Sequence, residues 1–453
     1  MQGSQQGWVA NALILVFVTG STFVTLAPEA RAACNGAENT CFGVDALNRN
    51  TAGTANSAYG FRALEGNTVG AGNTAVGDLA MNSGWDNTQN TAVGQHAMRR
   101  ANGTWQNTAI GLLALAGDRS PMTGSYNVGV GAFSLLRNTT GNNNVAIGNA
   151  SMIENTTGFT NVAVGAGSLY GNTTGYLNVA VGPRSLARNT TGKRNVAVGS
   201  STLFGAGAPE GLTGSDNTAI GYAALLADTT GYANVALGSA AMWNETTGNR
   251  NTGIGTRALF SVSGGKRNVA IGYAAGHDIA NGSDNIIVGG GNRAYPDDSG
   301  VIRIGTPKYQ HKAFLAGVHG VQPGRGGAVP VMIDANGQLG SLNSSRRFKR
   351  DITPMADDVS ERLLQLRPVS YRYIQAHDDG SQPLEHGLIA EEVAAVFPEL
   401  VVYDTDGQAL TVRYHLLASM LLDALQREHR TNAAQASRLD ALEKQVAALL
   451  QAR

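Results

Sequence analysis

An asparagine that returns every 17 residues restricts this chain more than any other feature. The pattern Asn-x-Ala-x-Gly, with small variations, begins at Asn39, Asn56, Asn73, Asn90, Asn107, Asn127, Asn144, Asn161, Asn178, Asn195, Asn217, Asn234, Asn251, Asn268 and Asn285. Two steps are longer, Asn107 to Asn127 and Asn195 to Asn217, and their extra residues (Asp118-Arg119-Ser120-Pro121 and Ala208-Pro209-Glu210-Gly211) read as protruding loops. A repeat this short cannot bury a core by itself, so neighbouring copies must stack and cover one another.

One unit shows the logic. Asn161-Val162-Ala163-Val164-Gly165 reads as a short strand, with Val162 and Val164 on one side and Ala163 on the other. Ser168-Leu169 supplies a second apolar element, and Asn172-Thr173-Thr174-Gly175 reads as a turn whose Asn and Gly tolerate positive φ. The third position is nearly always Ala or Gly, which predicts a close approach there. The fourth is apolar (Val76, Ile110, Val130, Ile147, Leu237, Ile271) and the ninth is usually Leu or Met (Leu115, Met152, Leu186, Met242). A strand-turn-strand-turn unit of this length fits one coil of a β-solenoid. Coils at about 4.8 Å each predict a rod of about 70 Å, with the first-position asparagines stacked as a ladder of amides. The Asn-Thr-Thr runs also match a glycosylation acceptor, but their place in the turn explains them without modification.

These units resemble the head repeats of trimeric autotransporter adhesins and related haemagglutinin-like proteins, over roughly residues 39–290. The resemblance implies three solenoids packed side by side, with the small third-position residues, such as Ala146, Ala163 and Ala180, as candidates for close packing between chains. Those adhesins end in a membrane β-barrel of alternating strands, a pattern this sequence does not show.

Composition agrees with a fibre rather than an enzyme domain. A single core rarely grows past about 250–300 residues, and this chain has 453. Charged residues are 15%, aromatics 6%, and glycines number 59. The apolar fraction of 42% with zero net charge argues against disorder. Zero net charge also argues against a dedicated nucleic-acid binder, which would carry a basic stripe.

Residues 1–32 read as a signal peptide. An apolar stretch from Val9 to Leu26 precedes Ala30-Arg31-Ala32, an A-x-A-like cleavage site, although no Lys or Arg lies before Arg31. An uncleaved anchor is the alternative, since the stretch is about long enough to span a bilayer, and membrane association is expected only in that case. The expected location is exported, at the cell surface or extracellular. The two cysteines, Cys34 and Cys41, could then close a small loop, or remain free thiols. Two thiols with no nearby His make half a metal site, and no cofactor or metal is expected.

The fold class is therefore mainly β: a repeat β-solenoid over 33–291, a β connector over 292–343, and a small α+β domain over 344–415. A coiled-coil helix over 416–453 ends the chain. In the connector, Val301–Ile304 and Ala328–Ile333 read as strands, the latter turning at Asp334-Ala335-Asn336-Gly337 and returning through Gln338–Leu342. After Asn343 the charge rises and the glycine pattern stops. Thr353-Pro354 reads as a helix start, Val369–Tyr373 as a strand, and Leu388–Val396 as a helix. Leu400–Tyr403 with Ala409–Val412 reads as a hairpin. Ala418, Leu421, Leu425, Glu428, Asn432, Gln435, Leu439, Leu442, Val446 and Leu449 step by three and four, the heptad pattern of a parallel coiled coil with polar central layers.

The segment Ser344-Ser345-Arg346-Arg347-Phe348-Lys349 carries the candidate chemistry. It resembles the start of the endosialidase-type intramolecular chaperone domain found at the C-terminus of phage tailspikes and other trimeric proteins. The resemblance continues through Asp351-Ile352, His386-Gly387-Leu388-Ile389-Ala390-Glu391-Glu392-Val393, Pro398 and the terminal helix. It implies self-cleavage by a Ser-Lys dyad, with Ser344 as nucleophile, Lys349 as base and Arg347 as the family's arginine. The position after the serine, often Asp in the family, is Ser345 here.

A serine hydroxyl needs a base, and lysine serves only when neutral, so burial or nearby cations such as Arg346, Arg347 and Arg350 must lower its pKa. A spacing of five brings two side chains together on neither a helix nor a strand; a bend or a partner chain must do so. The expected cut is the Asn343–Ser344 bond. The plain alternative is a polar linker with a solvated basic run, and His386 reads as structural rather than as a catalytic helper. The whole then reads as an exported, adhesin-like trimeric fibre whose C-terminal domain drives trimerisation and cuts itself off. Its expected partners are two further copies and a host or cell-surface receptor. A phage-type tail fibre or tailspike, or a structural surface protein that never cleaves, is the alternative.

Overall fold

The computed structural model describes residues 34, 36–208, 210–291, 295–306, 309–316, 318, 328–334, 337–404 and 406–451. The proposed signal peptide lies outside them. The chain divides into two compact units at residues 316/317.

The first unit is a β-solenoid. Sixteen three-residue strands, β1 (Thr40–Phe42) to β16 (Ile302–Ile304), pair parallel in strict sequence order in one sheet. Register is one repeat per rung: Val145, Ala146 and Ile147 pair with Val162, Ala163 and Val164. The last strand lies in the segment read as connector; it pairs with β15 (Ile286–Val288) and extends the same sheet by a rung.

The first-position amide ladder is present. The Asn161 backbone N–H and Nδ2 both donate to Asn144 Oδ1, at 3.0 and 3.1 Å, and Nδ2 also donates to Gly175 O at 2.9 Å. Asn161 Oδ1 in turn accepts from Asn178. These amides are fully buried, so the ladder satisfies groups that would otherwise be costly to bury.

Two further ladders were not anticipated. Turn asparagines stack as Asn138, Asn155, Asn172 and Asn189, each Nδ2 reaching the Oδ1 before it at 2.7–2.8 Å. Threonine hydroxyls link coils beside them, as in Thr156 Oγ1 to Thr173 O at 3.0 Å. Each such bond contributes about 1 kcal/mol. Thr156→Val is therefore expected to lower the rod's stability by about that much, readable as a small fall in its unfolding midpoint.

Two expectations about the coil are corrected. The third-position alanines are not available to another chain: Ala146, Ala163 and Ala180 are completely buried inside their own coil, against ninth-position side chains such as Met152 and Leu169. Their smallness fits the narrow interior. The outward residues are those at the second and fourth positions. The positive φ angles also lie elsewhere than the Asn-Thr-Thr-Gly turn. They fall on fifth-position glycines such as Gly165 (φ 131°), on seventh-position residues such as Arg184 (φ 56°), on ninth-position residues such as Leu169 (φ 48°) and on residues preceding the ladder asparagine such as Thr160 (φ 54°). A left-handed leucine costs roughly 1–2 kcal/mol, and full burial of its side chain offsets this by about 1.5–3 kcal/mol. Gly175 is required for a different reason: a Cβ there would sit 2.4 Å from Gly192 O of the next coil.

The inserted residues Asp118–Pro121 are exposed, and each insertion ends by returning an apolar residue to the core, Met122 and Leu212. Cys34 and Cys41 form a disulfide at the start of the solenoid.

The second unit holds a short antiparallel pair, β17 (Met332–Ile333) with β18 (Leu339–Gly340), and then the α+β domain. Thr353-Pro354 does not start a helix. α1 runs Val359–Leu363 with Asp358 before it, and buries Leu363. β19 (Val369–Tyr371) pairs antiparallel with β20 (Glu385–Gly387), and α2 spans Ala390–Val396. β21 (Val401–Tyr403) and β22 (Ala409–Val412) make the expected hairpin. Leu363, Val393, Phe397, Leu400, Val401, Val412 and Met420 form the core. α3 is one helix over Tyr414–Gln451.

Candidate functional site

Ser344 and Lys349 flank a single 3-10 turn over Arg346–Phe348. Its two hydrogen bonds, Phe348 N–H to Ser345 O at 3.1 Å and Lys349 N–H to Arg346 O at 3.0 Å, supply the bend that a five-residue spacing requires. The bend does not complete the dyad. All residues from Ser344 to Arg350 are exposed, and among the described residues no hydrogen bond joins the Ser344 hydroxyl to the Lys349 amine. Arg347 lies over the Phe348 ring at 4.7 Å, and Arg350 faces Asp351 at 3.7 Å. The single chain therefore carries both groups on one short turn but leaves them exposed to water.

The rest of the domain is built around the terminal helix. The Tyr414 hydroxyl accepts the Leu388 N–H at 2.9 Å, and it lies 2.8 Å from where a Cβ on Gly387 would be. The His386-Gly387-Leu388 run is thus shaped by the first residue of α3. Arg362 stacks over Phe397 at 4.2 Å and donates to Val396 O at the end of α2. Arg427 of α3 bonds Asp423, Asp357 and Met355 O, fastening the helix to the loop ahead of α1.

His386 has a partner that was not foreseen. Its Nδ1 lies 2.8 Å from Ser370 Oγ, directly across the β19–β20 pair. Only the strand register reveals this contact. Both residues are exposed, and among the described residues no carboxylate bonds the ring, so the pair reads as a cross-strand polar contact.

Beyond its first turns α3 presents an unpartnered apolar stripe. Leu421, Leu425, Leu439, Leu442, Val446 and Leu449 are all exposed in the single chain. Among the described residues no set of three metal-ligating side chains is found, and no helix is long and apolar enough to cross a membrane.

No curated protein and no solved structure matches the chain. A family model does match, and the match begins at Ser344. Residues 344–402 match the model of the family described as chaperone of endosialidase, so this C-terminal segment is similar to that family at the place where the sequence resembles it.

Proposed function

We propose that the chain is an exported, homotrimeric, adhesin-like fibre protein matured by its own C-terminal domain. That domain gathers three copies and then cuts the chain at Asn343–Ser344. The observation that carries this reading is the start of the chaperone-of-endosialidase match at Ser344, directly after a β-solenoid rod and its short connector. The exposed heptad stripe of α3 supports the trimer, because leucines at this spacing are buried when like helices associate.

In the proposed reaction the Ser344 hydroxyl adds to the Asn343 carbonyl carbon. Lys349, neutral, takes the hydroxyl proton and returns a proton to the Ser344 amide nitrogen as the C–N bond breaks. An ester between Asn343 and Ser344 Oγ results. Water hydrolyses it, leaving a carboxylate on Asn343 and a free amine and hydroxyl on Ser344. Lys349 reaches its neutral form only once partner chains remove it from water, so assembly precedes cleavage.

Mass measurement of the purified protein tests the reading. It should yield a fragment of residues 344–453 whose N-terminus is Ser344. Intact full-length trimer as the sole product would favour the non-cleaving surface protein instead. Cell fractionation separates the exported fibre from a phage-type tail fibre, which would stay in the cytoplasm until assembly.

A further inference from the structure

We infer that the rod carries a binding site for an acidic oligosaccharide, in a groove walled by Tyr222, Trp243, Phe260 and Tyr273 beside Arg257. Its use does not depend on whether the chain cleaves itself.

Four successive coils make the groove, those beginning at Asn217, Asn234, Asn251 and Asn268. The residue after the fifth-position glycine is in turn Tyr222, Ser239, Thr256 and Tyr273. Ser239 and Thr256 leave the floor low at the two middle coils, and the tyrosines bound it at either end, 60% and 62% exposed. Three coil steps of about 4.8 Å set the tyrosines about 14 Å apart. Trp243 and Phe260, tenth in their coils, form one side. The groove is open and holds about 530 Å³, within the roughly 300–1,000 Å³ of small-ligand sites.

Stacked rings alone would not mark a site. Phe159 and Tyr176 also stack, at 4.8 Å, because a rod with a one-repeat register brings like positions together. The groove differs in two ways. Phe260 has Trp243 on one face at 6.1 Å and His277 on the other at 5.0 Å, so it turns its edge, the electropositive part of an aromatic ring, to the groove. Tyr222 and Tyr273 stack on no ring among the described residues, and the negative face of a tyrosine ring attracts the polarised C–H groups of a sugar.

The polar groups narrow the ligand further. The hydroxyls of Tyr222, Ser239, Thr256 and Tyr273 make no hydrogen bond to protein among the described residues, so each can both donate to a ligand and accept from it. That suits a ring bearing several hydroxyls. No carboxylate lines the groove, and Arg257, exposed and 6.0 Å over the Phe260 ring, has no ion-pair partner among the described residues. Nearby surface charge is Arg250, Lys266 and Arg267 against Asp278 and Asp284, while Asp228 and Glu245 are buried. A carboxylate on the ligand supplies the anion that Arg257 lacks, and a guanidinium takes it through two parallel N–H···O bonds.

An array of short oligosaccharides, acidic members beside their neutral counterparts, tests this with the full chain. The wild type should be retained on acidic members and far less on the neutral ones. Arg257→Gln should weaken that retention by at least about tenfold and leave the unfolding midpoint of the rod unchanged. Tyr222→Ala with Tyr273→Ala should weaken it as well, whereas Trp105→Ala, exposed on a distant coil, should not. No retention on any acidic member, or equal retention on acidic and neutral members, overturns the inference. So does acidic retention that both Arg257→Gln and the tyrosine pair leave intact, since the ligand would then sit elsewhere.

Discussion

Chains carrying Ser344→Ala or Lys349→Ala are expected to assemble but to remain at full length. In the proposed reaction the serine supplies the nucleophile, so its loss should abolish release of residues 344–453. The lysine there supplies the base, and removal of a general base typically costs about 10²–10⁴-fold in rate. Lys349→Arg discriminates this role from simple charge. Arginine keeps the positive charge but does not deprotonate in proteins, so it should fail as completely as alanine. A time course of intact mass reads all of this. Normal processing by both alanine variants would sink the dyad, and loss of processing accompanied by loss of assembly would assign the residues to folding instead.

Much of the rod could be read from its letters. The period fixes the coil, and the first-position asparagine fixes the ladder, because a buried amide in every coil finds its own copy one coil away. The interior was harder. Alternation places Ala163 opposite Val162 and Val164, but does not say which side is the core. Small residues suit a tight interior as well as a tight contact between chains, and only the burial of Ala163 decides it. The glycine of the turn was recognised for the wrong reason: Gly175 avoids a collision with Gly192 O rather than adopting positive φ.

In the C-terminal domain, hairpin β21–β22 was visible because alternating apolar residues flank a strong turn. The helix start at Thr353-Pro354 was not, since tertiary packing of Leu363 outweighs a local signal. Ser344 and Lys349 were found through a family pattern. The single chain leaves both exposed.

The stability of the solenoid should fall as pH rises from about 4.5 to about 7, and Asp228→Asn with Glu245→Gln should remove that fall. These two residues occupy consecutive places in the turn ladder that Asn138, Asn155, Asn172 and Asn189 fill earlier, and both are fully buried. Asp228 accepts from Gly231 N–H and Asn217 Nδ2; Glu245 accepts from Gly248 N–H and Asn251 Nδ2.

Those bonds favour the charged form, but desolvation outweighs them. Burial raises Glu245 from 4.5 to about 7. It raises Asp228 well above its ordinary range, and the neighbouring Glu245 adds to the rise. The folded rod thus holds protons that the unfolded chain releases above about pH 4.5. Stability is full below that pH and is lost as pH climbs through the folded values, at about 1.4 kcal/mol per unit for each group.

For Glu245 alone the gap from 4.5 to about 7 amounts to about 3 kcal/mol at alkaline pH. The amide variants carry no such charge. The remaining donors, Asn217 and Asn251, keep their bonds to Gly231 O and Gly265 O. Hydrogen exchange of the coils spanning 217–265 reads the effect locally, where opening of a repeat array is not all-or-none. Wild-type protection there should weaken between pH 5 and 8, after correction for the intrinsic exchange rate, while the double variant stays level and exceeds it by two to three orders of magnitude (about 3 kcal/mol) at pH 8. Identical pH profiles for the two proteins would mean that the carboxylates are already ionised at neutral pH and that the rod tolerates their charge.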